Sequence, residues 1–166
     1  MIQLIVGFSK PRKLKVGSEL IKLWINKPYS HVYMRYIDSQ GRDLVFHAAH
    51  GTVHPILFEN FNKENETLKQ FELELSVDEY ELFKNIYYEK CGILYSKKGI
   101  ICIPIHDIAW KMGFYLKTED DPGYICSELA GYALTTLKGI KFKKPFNILR
   151  PDDIDQRLQL LSDINI

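Results

Sequence analysis

Cysteine is scarce in this chain. The three thiols stand at positions 91, 102 and 126 of 166 residues and form no C-x-x-C pair. An odd, unpaired set offers no disulfide framework, and a reducing, cytosol-type environment follows as the default. A surplus of charge of one sign is also missing. Lys and Arg number 22 against 21 Asp and Glu, a formal net charge of +1. That balance gives no bulk electrostatic case for nucleic acid or an anionic membrane. The basic run at residues 10–15 is local and reads as a solvated loop. Long hydrophobic runs are absent too. Residues 100–105 are the most apolar stretch, contain Pro104 and are far too short to span a bilayer. Residues 2–8 are apolar but lack the basic n-region and long h-region of a signal peptide, and read as a first strand. The expectation is a cytoplasmic protein with no integral membrane segment and no nucleic-acid partner, with delivery by another route, such as a phage particle, left open. Repeats, low-complexity tracts and an interdomain linker are lacking, so residues 1–166 read as a single domain.

What is present suffices for a packed core: 46% of residues are hydrophobic and 13% aromatic. After the first strand, closed by a turn at Ser9, Lys10 and Pro11, Leu20, Ile21, Leu23 and Trp24 recur at helical spacing in residues 16–25, with Pro28 as the stop. Residues 30–37 alternate as a strand, with Val32, Met34 and Tyr36 opposite His31, Tyr33 and Arg35. A hairpin-like turn at 38–43 leads to a strand at 44–48 and a third at 51–57. Residues 59–66, polar and rich in Asn and Lys, read as an exposed loop. A strand at 67–75 precedes a capping-box pattern at residues 76–79, which starts a helix towards Tyr88. In residues 100–116 Pro104 predicts short helical pieces. Asp120, Asp121, Pro122 and Gly123 form a turn-rich approach to a helix that begins near Cys126 and stops at Lys138 and Gly139. Arg150, Pro151, Asp152 and Asp153 open a short last helix, with proline in the first turn and carboxylates at its positive end.

Cys126 is the focus of this pattern. A thiol at a helix N-terminus meets unpaired backbone N–H groups and a positive dipole, which favour thiolate. A terminus contributes at most about 2 kcal/mol, so the sulfur stays only partly ionised near neutrality without an imidazole beside it. His31 and His47 lie on neighbouring strands, which can bring both rings together across one face. A nucleophilic cysteine needs a base, and the base needs a third polar group to orient it. Cys126, His31 and His47 can supply these roles, although residue types taken singly favour a buried, inert cysteine and structural histidines.

The wording of the motifs sharpens this. Tyr29-Ser30-His31 enters a strand, a second strand bears a polar residue, and a Tyr124-x-Cys126-Ser127-Glu128-Leu129 helix start comes much later. This order, with the histidine before the cysteine, resembles the circularly permuted branch of the NlpC-like papain superfamily, its YiiX-like members above all. Lecithin:retinol acyltransferase-type enzymes are more distant relatives. The resemblance runs from Ser30 to about Asp153 and includes the late Pro151-x-Asp153 feature. It implies an α+β fold in which an antiparallel, partly barrel-like sheet packs against helices, the nucleophile at a helix N-terminus. It also implies Cys126 as nucleophile, His31 as general base and His47 as the orienting residue, a place where many relatives carry glutamate. His50 takes that role if the strand register differs. Tyr95 is the nearest match to a tyrosine that helps shape the oxyanion site. Implied further is a thiol hydrolase or cysteine peptidase acting on a peptide, peptidoglycan or acyl-lipid substrate, with no cofactor.

Two rivals stand beside this. His47, His50 and His54 crowd together as a metal site would, but Gly51 and Pro55 argue against the helix that would align them, and on a regular strand His47 and His50 face opposite ways. A non-catalytic module that keeps the fold for binding is the other. Residues 101–115 offer an apolar platform to a lipid-active enzyme, although core packing explains them as well.

Overall fold

A computed structural model describes residues 2–114 and 123–164, with the side chains of 97–101, 103 and 164 set aside. Five strands form one open antiparallel sheet in the order β4-β3-β2-β1-β5. These are β1 (Ile2–Pro11), β2 (His31–Ile37), β3 (Asp43–Ala49), β4 (Thr52–Leu57) and β5 (Asn65–Leu75). The sheet does not close, which corrects the partly barrel-like expectation. β4 and β5 are its two edges, and the upper part of β4 is covered by the segment around Ile93, where Val53 N–H donates to the Ile93 carbonyl at 2.8 Å.

Helix α1 (Val16–Ile25) has the bounds its periodicity predicts and ends on Asn26 in the left-handed conformation, before Pro28 is reached. β1 runs on through Ser9 to Pro11, which pairs with Asn65, where a turn was expected. β2 pairs with β1 only as far as Ser9↔His31, so Pro11, with no N–H to give, sits beyond that neighbour's reach. Residues 59–66 are not a loop: α2 (Phe58–Glu64) covers one sheet face through Phe61, which is 1% exposed. The polar composition describes only that helix's outer side.

The opposite face holds the main core. Leu4, Met34, Phe46 and Ala48 meet Phe83 and Ile86 of α3 (Val77–Lys90) and Leu129 and Ala133 of α5 (Cys126–Lys138). Further along the same face, Val6, Phe8 and Val32 meet Cys126, Ala130 and Leu134 of α5 and Ile154 of α6 (Pro151–Ile164). α6 spans 14 residues, longer than its proline-led opening suggested. α4 (Lys97–Lys111) is a single helix with Pro104 inside it, where short pieces were expected. An interior proline costs a helix about 3 kcal/mol. Anchorage at Asp107 offsets it: this fully buried carboxylate accepts from Lys144 at 2.8 Å and Arg150 at 3.0 Å. The turn expected at Asp120, Asp121 and Pro122, like the Tyr115 end of the apolar stretch, lies outside the described residues. Among the described residues, no helix is long and apolar enough to cross a membrane.

Candidate active site

Two helix starts show how Cys126 is placed. α3 begins with a closed capping box, in which Ser76 Oγ accepts from Glu79 N–H and Glu79 accepts from Ser76 N–H. α5 begins differently. Its N-cap is Ile125, extended and without a side-chain acceptor, so its first N–H groups are left for another partner. Burial pushes the Cys126 thiol pKa up, and the nearby backbone of Val32, Ser127 and Cys126 itself acts more weakly the other way, favouring the thiolate.

The Val32 contact follows from how β2 and β3 part. Their pairing runs from Ile37↔Asp43 to Met34↔Phe46, and no β3 partner is registered for His31, Val32 or Tyr33. β3 continues past that point paired with β4, as in His47↔His54. A splay therefore opens at the start of β2, and there Val32 packs in the same buried cluster as Cys126.

One residue earlier, His31 bridges the splay. Its Nε2 lies 2.9 Å from Nδ1 of His47. Both rings pack on Phe61 of α2, with centroids 6.4 Å and 5.5 Å away. Burial is the main reason that His31 is held neutral, its pKa lowered to about 4, and that His47 is lowered to about 2. His31 Nδ1 has no hydrogen-bond partner among the described residues, and His47 Nε2 is buried without one.

The predicted residues are thus gathered unevenly. His31 and His47 touch. Cys126 packs beside the neighbouring Val32 of the same strand, but no hydrogen bond links its sulfur to the His31 ring. His50 stands apart on the β3–β4 turn at φ 49°, its Nε2 3.5 Å from Glu64. Tyr95 is brought beside Cys126, because the isolated bridge Tyr95↔Tyr124 ties its segment to the approach to α5. Burial, with the Cys126 charge a lesser cause, pushes the Tyr95 phenol well up, so the phenol stays a hydrogen-bond donor. The residues that sequence reasoning missed are Val32, acting through its backbone, and Phe61. The pair Phe58 and Phe61, three apart inside a polar run, was the available signal for α2.

Cys126 and Tyr95 open onto a cavity of about 360 Å³, walled by Leu20, Ile21 and Trp24 of α1 and Pro104 of α4. Ser30, Ser127 and Arg150 also line it.

An open antiparallel sheet packed on helices, with a buried cysteine at the uncapped start of a central one, defines an α+β fold. The chain is similar in structure to the metalloprotein yiiX of Escherichia coli O157:H7, a DUF1105 protein known from a crystal structure. The TM-score is 0.59 at 20% sequence identity, over 87% of this chain and 69% of that one. The fold is YiiX-like. No family model and no curated protein matches the sequence.

The described residues do not fit a metal ion. No three His, Cys, Asp or Glu side chains are placed to share one. The short His31–His47 contact has the length of a hydrogen bond, with a proton between the two nitrogens.

Proposed function

We propose that the protein is a thiol hydrolase of the permuted NlpC-like kind, cleaving an amide or ester through an acyl-enzyme on Cys126. The observation that carries this is the seating of the cysteine: it lines a cavity, at the uncapped start of α5, next to the strand that starts with the His31–His47 pair. An inert core cysteine has no need of any of these.

The two pKa directions favour a neutral resting pair, a thiol beside a neutral imidazole, in place of the ion pair that papain-like wording suggests. His31 acts as general base when it donates from Nε2 to His47, which leaves Nδ1 to accept the thiol proton. The contact tightens when substrate binds, as catalytic hydrogen bonds commonly do. Sulfur attacks the carbonyl carbon as its proton passes to His31. The oxyanion is stabilised by backbone N–H at the start of α5, with the Tyr95 phenol as a second donor. Collapse breaks the bond to the leaving amine or alcohol, which takes the proton from His31. Water, deprotonated by the same ring, then hydrolyses the thioester to release the acid and restore the thiol.

Profiling peptides, esters and lipids against purified protein tests this, with Cys126→Ala as control. Turnover that disappears in Cys126→Ala is expected. Equal background in both proteins across the panel would leave a binding module as the reading.

A further inference from the structure

Apolar side chains crowd the outside of the two helices that wall the Cys126 cavity. On α1, Val16, Leu20, Leu23 and Trp24 fall on one face at i, i+4, i+7 and i+8, and are 36% to 78% exposed. On α4 and just past its end, Ile105, Ile108 and Met112 follow at i, i+3 and i+7, and are 48% to 68% exposed. The two stripes are neighbours. Lys111 Nζ lies 5.9 Å from the Trp24 ring, and Leu20, Trp24 and Pro104 line one cavity.

Size decides what such a face is for. The largest apolar patch on a monomer is typically about 300–600 Å². The side chains of the two stripes leave roughly 800 Å² open, about what each partner contributes to a standard interface. Packing within the chain uses little of α1, in which only Ile25 is buried.

Charge and shape select the occupant. The charged side chains described on these helices are neutralised within the chain, Glu19 by Lys22 at 2.6 Å and Lys111 by Asp107 at 3.0 Å. Neither stripe therefore asks for a partner of opposite charge. At a net charge of +1, two copies of this chain repel only weakly. The exposed Lys13 and Lys15 precede the α1 stripe and belong to the rim of a contact, where charge is tolerated. Apolar residues at three- and four-residue spacing on adjacent helices form the ridges and grooves that interlock in helix bundles. A two-fold axis would lay α1 of one copy on α4 of the other, and the same contact would form twice.

We propose that two copies of the chain pair through the α1 and α4 stripes, each roofing the mouth of the other's Cys126 cavity. Leu20 and Trp24 belong both to the stripe and to the cavity wall, so a copy seated on the stripe lies across the entrance. The resting dimer holds Cys126 shut and dissociation opens it, whether or not the thiol turns over a substrate.

Sedimentation velocity across a range of protein concentrations tests the pairing. A monomer–dimer equilibrium is expected, weakened about 30-fold or more by Leu23→Glu and by Ile105→Glu, as at the centre of an interface. Val77→Glu, at an exposed apolar position on α3, should leave it unchanged. Circular dichroism and Tm should match the native protein in all three variants. Alkylation of Cys126 by iodoacetamide reads the roof. Its rate should rise about tenfold or more as dilution dissociates the dimer, and should be fast at every concentration in Leu23→Glu. The exposed Cys91 is the reference that dilution should not move. A native protein that stays monomeric up to about 1 mM would overturn the pairing, and so would a dimer that both stripe variants retain. A dimer lost in both variants, with Cys126 alkylated at one rate throughout, would remove the roof. A monomer that sediments with phosphatidylserine vesicles, and ceases to in Leu23→Glu, would give the face to a bilayer and end the pairing.

Discussion

Cys126 packs in one buried cluster with Val32, the residue after His31, at the point where β3 has left β2. This places the thiol one residue from His31 without placing it in low dielectric beside a cation. Its ionisation is therefore governed by burial, and that is measurable. Alkylation of Cys126 by iodoacetamide should be slow at mildly acidic pH and climb only above the ordinary thiol range of about 8.5. Peptide mapping separates it from the exposed Cys91. A rate plateau below neutrality would instead establish a thiolate–imidazolium pair.

His47 is predicted to act through His31. Removing the acceptor in His47→Ala leaves His31 Nε2–H unpaired and frees the ring to turn, so kcat should fall by about 10- to 100-fold with KM little changed. His47→Gln, whose amide oxygen can accept the same hydrogen bond, should recover part of the loss. In the native protein kcat/KM should hold as pH falls from 7 and drop only as pH passes about 4, where His31 takes up a proton and can no longer accept one. An acid limb near the ordinary histidine value of about 6.5 would count against His31 as the base.

The same two rings make folding pH-dependent. Both are neutral in the native state, with pKa values of about 4 for His31 and about 2 for His47, against about 6.5 when unfolded. Below 6.5 the unfolded chain binds more protons than the native one, so stability must fall as pH falls. It is fully present above about 6.5 and declines towards 4. Each ring contributes a loss of about 2–3 kcal/mol by pH 4, the partly exposed His31 less than the buried His47. Urea midpoints of the native protein and of His47→Gln across this range should converge at low pH, because the variant lacks one of the two titrations.

Local pattern made much of this legible in the sequence. Alternation in residues 30–37 put His31 and His47 on adjoining strands, and the structure joins them. The bounds of α1 and the start of α5 follow from periodicity, and the end of α5 from Gly139 as a stop. What stayed hidden depends on which surface another element covers. α2 has one deeply buried anchor, Phe61, in a polar segment, so its average character is that of a loop. α4 keeps Pro104 because the buried Asp107 ties it to Lys144 and Arg150, distant in sequence. The distinction between His47 and His50 turns on a tight turn at His50 and Gly51, with φ of 49° and 98°, which swings His50 out towards Glu64. The splay between β2 and β3 beside Val32 belongs to the relation among three strands, and no single segment encodes it.

Gly123 is the position where a small change should separate site from scaffold. A methyl group there would lie 2.8 Å from the Ser96 nitrogen and 2.9 Å from the Leu94 carbonyl oxygen. Both are backbone atoms of the segment that carries Tyr95, held by Ser96 N–H donating to the Tyr124 carbonyl and Tyr124 N–H donating to Leu94. Backbone cannot swing aside as a side-chain tip does, so Gly123→Ala must push this segment, and Tyr95 with it, away from Cys126. The overpacking should cost about 1–3 kcal/mol, or roughly 3–10 °C in Tm. Gly131→Ala is the internal control. Its methyl meets the Leu149 Cδ1 tip at 2.4 Å, a side-chain end that can rotate. A smaller loss of Tm is expected there, with acyl transfer retained. If Tyr95 supplies an oxyanion donor, Gly123→Ala should lower kcat by at least as much as Tyr95→Phe, well below its own folding midpoint. Were Tyr95→Phe to match the native protein while Gly123→Ala lost only stability, the phenol would be a wall residue, and any oxyanion would rest on the α5 backbone alone.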